Sequence, residues 1–129
     1  MAGNKDAPTC MTCHGKHDIK SRVIPSSPIS SISLPDLCGK CHEKIAEEYK
    51  ESIHWIAVKK GVREAPSCND CHSEHSVEAI NTVEKRAEMK KMQEQTCLQC
   101  HQNLLLSVRY GMGGKNAFDY QDSYHGLAV

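Results

Sequence analysis

The apolar positions of this chain are few and bunched, and their spacing changes along it. Through residues 20–35 Val23, Ile24, Ile29, Ile32 and Leu34 are interleaved with serine and proline. Pro25, Pro28 and Pro35 forbid a helix through the segment, which is expected to be an extended connector. Over residues 36–60 the spacing becomes helical: Ile45, Tyr49, Ile53 and Ile56 share one stripe with His42, and Trp55 and Val58 add a second apolar patch at the far end. In a single helix His54 would stand about 120° round from His42 and about 18 Å further along. The two imidazoles would then face different neighbours.

Residues 81–95, rich in Lys and Glu, predict another helix with Val83, Ala87 and Met89 or Met92 inward. Residues 98–110, with Leu104, Leu105, Leu106 and Val108, predict a third, stopped by Gly111. A last short helix is expected over 117–128, and no stretch reads as a strand. The expected fold is mainly α with long loops and little regular structure.

Cysteine is what changes this picture. All eight cysteines fall in four copies of C-x-x-C-H: Cys10–Cys13–His14, Cys38–Cys41–His42, Cys68–Cys71–His72 and Cys97–Cys100–His101. The pattern reads as a c-type haem attachment site, with both thiols in thioether bonds and the following histidine as proximal iron ligand. Four such motifs could in principle make two zinc sites of four cysteines each. A zinc ribbon has no need of a histidine directly after the second cysteine, and here it stands there every time. The expectation is four covalent haem c groups.

Four histidines remain, His17, His54, His75 and His125, one for each iron still lacking a strong axial ligand. Methionine is the competing sixth ligand and raises the reduction potential. Met1, Met11, Met89, Met92 and Met112 fall into no matching pattern, so bis-histidine ligation is expected at all four irons.

Composition agrees. The 129 residues are one domain's worth of chain, yet 39% are hydrophobic, with one Trp, one Phe and four Tyr. That is thin for closing a core unaided; at roughly 32 residues per porphyrin the macrocycles become the core. The holoprotein is expected to fold only with its haems. Sixteen basic residues balance sixteen acidic ones, no basic block points to nucleic acid, and no apolar run suggests a membrane span. No signal peptide is apparent. Because haem is attached outside the cytoplasm in prokaryotes, the chain is expected to be a mature form or an excised piece with an added Met1, working in the periplasm or outside the cell.

The chain also repeats itself. Gly3-x-x-x-Ala7-Pro8-Thr9-Cys10 returns 58 positions later as Gly61-x-x-x-Ala65-Pro66-Ser67-Cys68, and His14-x-x-His17 as His72-x-x-His75. Cys38 returns 59 positions later as Cys97. Tyr49-x-x-Ser52-x-His54 returns 71 positions later as Tyr120-x-x-Ser123-x-His125, the difference being a 12-residue insertion around the glycine-rich Tyr110–Gly114. Two tandem dihaem repeats, 1–60 and 61–129, are expected, each keeping its two spare histidines in register.

His17 and His75 follow a proximal histidine too closely to reach the far side of their own haem and must serve a neighbour. In a closed scheme His17 binds the second haem and His54 the first, then His75 the fourth and His125 the third. In a shifted scheme His54 binds the haem on Cys68, and His125 is left for another molecule. Both schemes stay open.

These features resemble multihaem c-type cytochromes, in particular the tetrahaem and larger cytochromes of respiratory bacteria and archaea with doubled C-x-x-C-H motifs. The likeness rests on Cys68-Asn-Asp-Cys71-His72-x-x-His75, on Tyr120-x-x-Ser123-x-His125-Gly126 and on Gly-x-x-x-Ala-Pro-x-Cys, and it spans nearly the whole chain. Trp55 departs from it where the second copy has Gly126. The resemblance implies a row of closely spaced haems used in anaerobic respiration. It implies partners such as a quinol-oxidising membrane cytochrome, a terminal reductase or other cytochromes. Some such proteins are periplasmic shuttles; in others a histidine of one subunit ligates the next subunit's haem in an extracellular filament, a homo-oligomer.

The coordination chemistry points the same way. An iron held by two imidazoles has no open position, so it exchanges electrons and binds no substrate. A multihaem oxyanion reductase would need one five-coordinate iron, and the ligand count leaves none obviously vacant. Electron transfer without an enzymatic activity is the expectation.

Overall fold

The computed structural model describes residues 7–72 and 95–112, with the single positions 75, 84 and 88. Six short helices are bounded in it: α1 Cys10–His14, α2 Leu34–Gly39, α3 Glu43–Glu51, α4 Ile53–Lys59, α5 Cys68–Cys71 and α6 Leu104–Tyr110. Residues 95–101 are helical as well, as are Glu84 and Glu88, and no strand occurs among the described residues. The architecture is mainly α. The chain divides into two compact units, Met1–Asp70 and Cys71–Val129. The helix expected over 117–128 lies outside the described residues, as does most of that expected over 81–95.

The connector is not extended. Four successive turns close it, with Ile24 N–H bonding to Ser21 O, Ser27 to Ile24 O, Ser30 to Ser27 O and Ser33 to Ser30 O, at 2.9–3.1 Å. Pro25 and Pro28 occupy the second position of two of these turns, where their fixed φ is already right. Serine hydroxyls tie the turns inward: Ser27 Oγ donates to Lys20 O at 3.1 Å and Ser30 Oγ to Pro25 O at 3.1 Å. Ser27 and Ser30 are buried on that account, their hydroxyls satisfied by backbone. The prolines do exclude a helix as far as Ser33. Pro35, in the first turn of α2, then starts one, because its missing N–H belongs to the unbonded first turn anyway.

The single helix expected over 36–60 is broken twice. After α2 the chain turns at Lys40–His42, and His42 caps α3 with φ −117° and ψ 49° rather than lying within it. Ser52 then interrupts α3 from α4: its backbone is extended (φ −76°, ψ 157°), and its Oγ accepts the Trp55 N–H at 3.2 Å. A serine hydroxyl competing with the backbone for that N–H ends one helix and begins the next. The 120° and 18 Å relation between His42 and His54 therefore does not hold, since it assumed one unbroken helix.

The protein core of the first unit is small: Leu34, Ala46, Val58 and Ala65, with Pro35, Ser27 and Ser67. α2 packs on α3 and α3 on α4. Gly39 makes the first contact close, for a Cβ there would stand 3.0 Å from the Ala46 Cβ. Lys50 Nζ reaches Asp36 Oδ1 at 2.5 Å across the same pair of helices. Tyr49 leans on Trp55, ring centroids 5.8 Å apart, and its hydroxyl donates to Pro66 O at 2.8 Å.

In the second unit Asn103 caps α6, its Oδ1 accepting from Leu105 N at 3.0 Å and Leu106 N at 3.3 Å. That cap divides the helix expected over 98–110. Gly111, at φ 63°, ends it as expected, in a left-handed conformation that glycine takes without strain.

Candidate haem-binding site

The first and fourth C-x-x-C-H motifs lie wholly on helical backbone, the third does so as far as Cys71, and the second begins in α2 and ends in the turn that follows it. α1 and α5 are little more than the motifs themselves, and the fourth motif falls in the helical residues 95–101. In the second, Cys41 N–H and His42 N–H both return to Cys38 O, at 3.1 and 2.9 Å, so the turn persists past the end of α2. One helical turn puts thiols at i and i+3, and an imidazole at i+4, on one side. Two sulfurs and one iron ligand on a single porphyrin need that arrangement.

The first and third motifs are started by the same device. Thr9 N–H donates to Thr12 Oγ1 at 3.0 Å, and Ser67 N–H donates to Asp70 Oδ2 at 2.8 Å. In both, the side chain at the third helical position closes back on the residue before the helix, as in a capping box. The third motif is held further. Ser67, buried, donates from Oγ to Ser31 O at 3.2 Å, and Asp70 Oδ1 accepts from Arg22 Nη2 at 3.1 Å.

The fold brings the second and third motifs into contact within the first unit, through a hydrogen bond between the thiols of Cys38 and Cys68. Burial pushes the Cys38 thiol up to about 11, and the neighbouring thiol of Cys68, hydrogen-bonded to it, and that of Cys13 act in the same direction. Cys10, Cys41, Cys71 and Cys97 are exposed, while Cys13, Cys38, Cys68 and Cys100 are half-buried. His14, His54 and His101 are half-buried; His17, His42, His72 and His75 are exposed; His125 lies outside the described residues. Among the described residues no three His, Cys, Asp or Glu side chains are gathered as they would be for a bare metal ion. A porphyrin brings its own four nitrogen donors and asks the chain only for axial ligands.

The surface fits a large apolar group. Ile53 is 73% exposed, Leu104 78%, Leu105 82% and Val108 85%, and Met11, Ile19, Val23 and Ile45 are more than half exposed. Single exposed apolar side chains are ordinary; in the first unit five of them stand around a small core, and in the second Leu104, Leu105 and Val108 lie on one short helix, and each set is a surface suited to being covered. The stripe of Ile45, Tyr49, Ile53 and Ile56 read from the sequence is divided between α3 and α4 by the break at Ser52; its isoleucines are exposed, while Tyr49 is half-buried.

Arg22, Ser67 and Asp70 were not singled out by the spacing of cysteine and histidine. The Ser67-x-x-Asp70 signature of a capping box could have found two of them.

Residues 22–85 match the NapC/NirT cytochrome c family, N-terminal region, which is just under half of the chain. The match takes in the second and third motifs with His54 and His75, and leaves the first and fourth outside it. No curated protein matches the chain, and no solved structure does. NapC/NirT cytochromes are electron-transfer multihaem proteins. Among the described residues no helix is long and apolar enough to cross a membrane. The family match and the helical Cys-x-x-Cys-His turns together support a c-type cytochrome carrying covalently bound haem.

Proposed function

We propose that the chain is an electron-transfer protein holding four haem c groups in two tandem dihaem repeats, 1–60 and 61–129. Cys10 and Cys13, Cys38 and Cys41, Cys68 and Cys71, and Cys97 and Cys100 attach the porphyrins. His14, His42, His72 and His101 are the proximal ligands, and His17, His54, His75 and His125 the distal ones. Haem supplies the one-electron chemistry; the chain supplies spacing, ligands and a low dielectric. The observation that carries the reading is the hydrogen-bonded contact of Cys38 with Cys68, which belong to two different motifs, in one small unit. Porphyrins attached at neighbouring sulfurs are close enough for electrons to pass between them.

The apolar side chains left uncovered by protein support the same reading, since macrocycles would cover them. Work in the periplasm or beyond, with other redox proteins as partners, follows from where haem is attached and from the family match. The test is a haem count by mass and alkaline pyridine spectrum, with the ferrous protein exposed to carbon monoxide. Four haems and no rapid carbon monoxide binding are expected. Fewer than four, or a high-spin iron at rest, would overturn the assignment.

A further inference from the structure

Asp70 is the one acidic residue that stands inside any of the four C-x-x-C-H motifs; the other interior positions hold Met11 and Thr12, Gly39 and Lys40, Asn69, and Leu98 and Gln99. Its carboxylate has a structural task, accepting the Ser67 N–H that begins α5. That task does not require a charge. At the matching place of the first motif Thr12 does it with a neutral hydroxyl. The third motif therefore carries a negative charge that its fold could do without, and that charge is met by Arg22, 48 residues away in the chain, at 3.1 Å.

We propose that Arg22 and Asp70 form a tuning pair that sets the reduction potential of the haem on Cys68 and Cys71. The inference rests on that haem being attached there. A ferric haem carries one more positive charge than a ferrous one, so a carboxylate beside it favours the oxidised form and lowers the potential. The guanidinium offsets this, and does so only while the ion pair is made. Arg22 acts through Asp70 and is a positioning and charge-balancing residue. The pair is half-exposed, with side chains 48% and 33% accessible, so salt weakens its effect without abolishing it. Lys40, at the corresponding place of the second motif, has the opposite sign. The second and third haems thus differ by design of sequence in the charge each carries on its own motif.

The test uses the haem-loaded protein. Redox titration followed by the NMR of the haem methyl groups resolves the four one-electron steps. Arg22→Gln should move one step to lower potential. Asp70→Thr, which installs the neutral cap of the first motif, should move the same step upward. The double variant should return close to the parent, Arg22→Lys should restore most of the Arg22→Gln shift, and every shift should shrink at high ionic strength. A purely structural clasp would move Arg22→Gln and Asp70→Thr in the same direction, or would broaden several steps at once, and either result overturns the proposal. Unmoved or salt-independent potentials in a protein with four haems overturn it as well, whereas a protein with no haem on the third motif overturns the attachment beneath it.

Discussion

Gly39→Ala tests whether the approach of α2 to α3 is as close as the structure has it. The new methyl would stand 3.0 Å from the Ala46 Cβ, where ordinary contact begins at 3.4 Å. Ala46 is buried and has no torsion with which to turn aside, so one helix has to move by a few tenths of an ångström. Overpacking of this kind costs about 1–3 kcal/mol. Against it stands the helical preference of alanine over glycine, about 0.5–1 kcal/mol and at its smallest here because Gly39 is the last residue of α2. The clash should win, leaving the variant about 0.5–2 kcal/mol less stable. Guanidinium unfolding of the haem-loaded protein, followed by circular dichroism, measures the difference. Gly39→Ala combined with Ala46→Gly removes the opposing methyl, so the double variant should be more stable than the sum of the single changes allows. A Gly39→Ala protein at least as stable as the parent, with no coupling to Ala46→Gly, would refute the packing argument.

Tyr49→Phe removes the hydroxyl that donates to Pro66 O at 2.8 Å and should cost about 1 kcal/mol in the same unfolding experiment, with the ring contact to Trp55 retained. Ser52→Ala removes the cap of α4 and should also cost about 1 kcal/mol; a stabilised variant would mean that the break before α4 is not made by the hydroxyl. Asn103→Ala, with two N–H groups released at the start of α6, should lower the helical signal of the second unit and cost about 1 kcal/mol. Cys68→Ala with Cys71→Ala should yield a protein lighter by one haem, with the remaining haems still low-spin at rest.

The sequence made the chemistry legible because C-x-x-C-H is a local pattern whose spacing is also the spacing of one helical turn. Gly111 could be read for a similar reason: a glycine after a run of leucines has one common use. What escaped was settled by side chains competing with the backbone. The sequence periodicity of Ile45, Tyr49, Ile53 and Ile56 runs through Ser52 as though the helix were unbroken, and so hides the break. The turns of residues 21–33 look extended in a composition of serine and proline, because proline excludes a helix without saying whether the chain then stretches or folds. Arg22 and Asp70 are 48 residues apart, and nothing local announces a pair at that distance.

The turns between the first and second motifs advance by three residues, each closed by its own hydrogen bond. Such a segment works as a ruler with a fixed graduation. Adding or deleting one Ser-Pro-Ile-like triplet would slide α2 by one step relative to α1 while both ends kept their capping, whereas a change of one or two residues would leave a turn unclosed. Separation between the first two Cys-x-x-Cys-His motifs can thereby be altered in increments, without rewriting either of them.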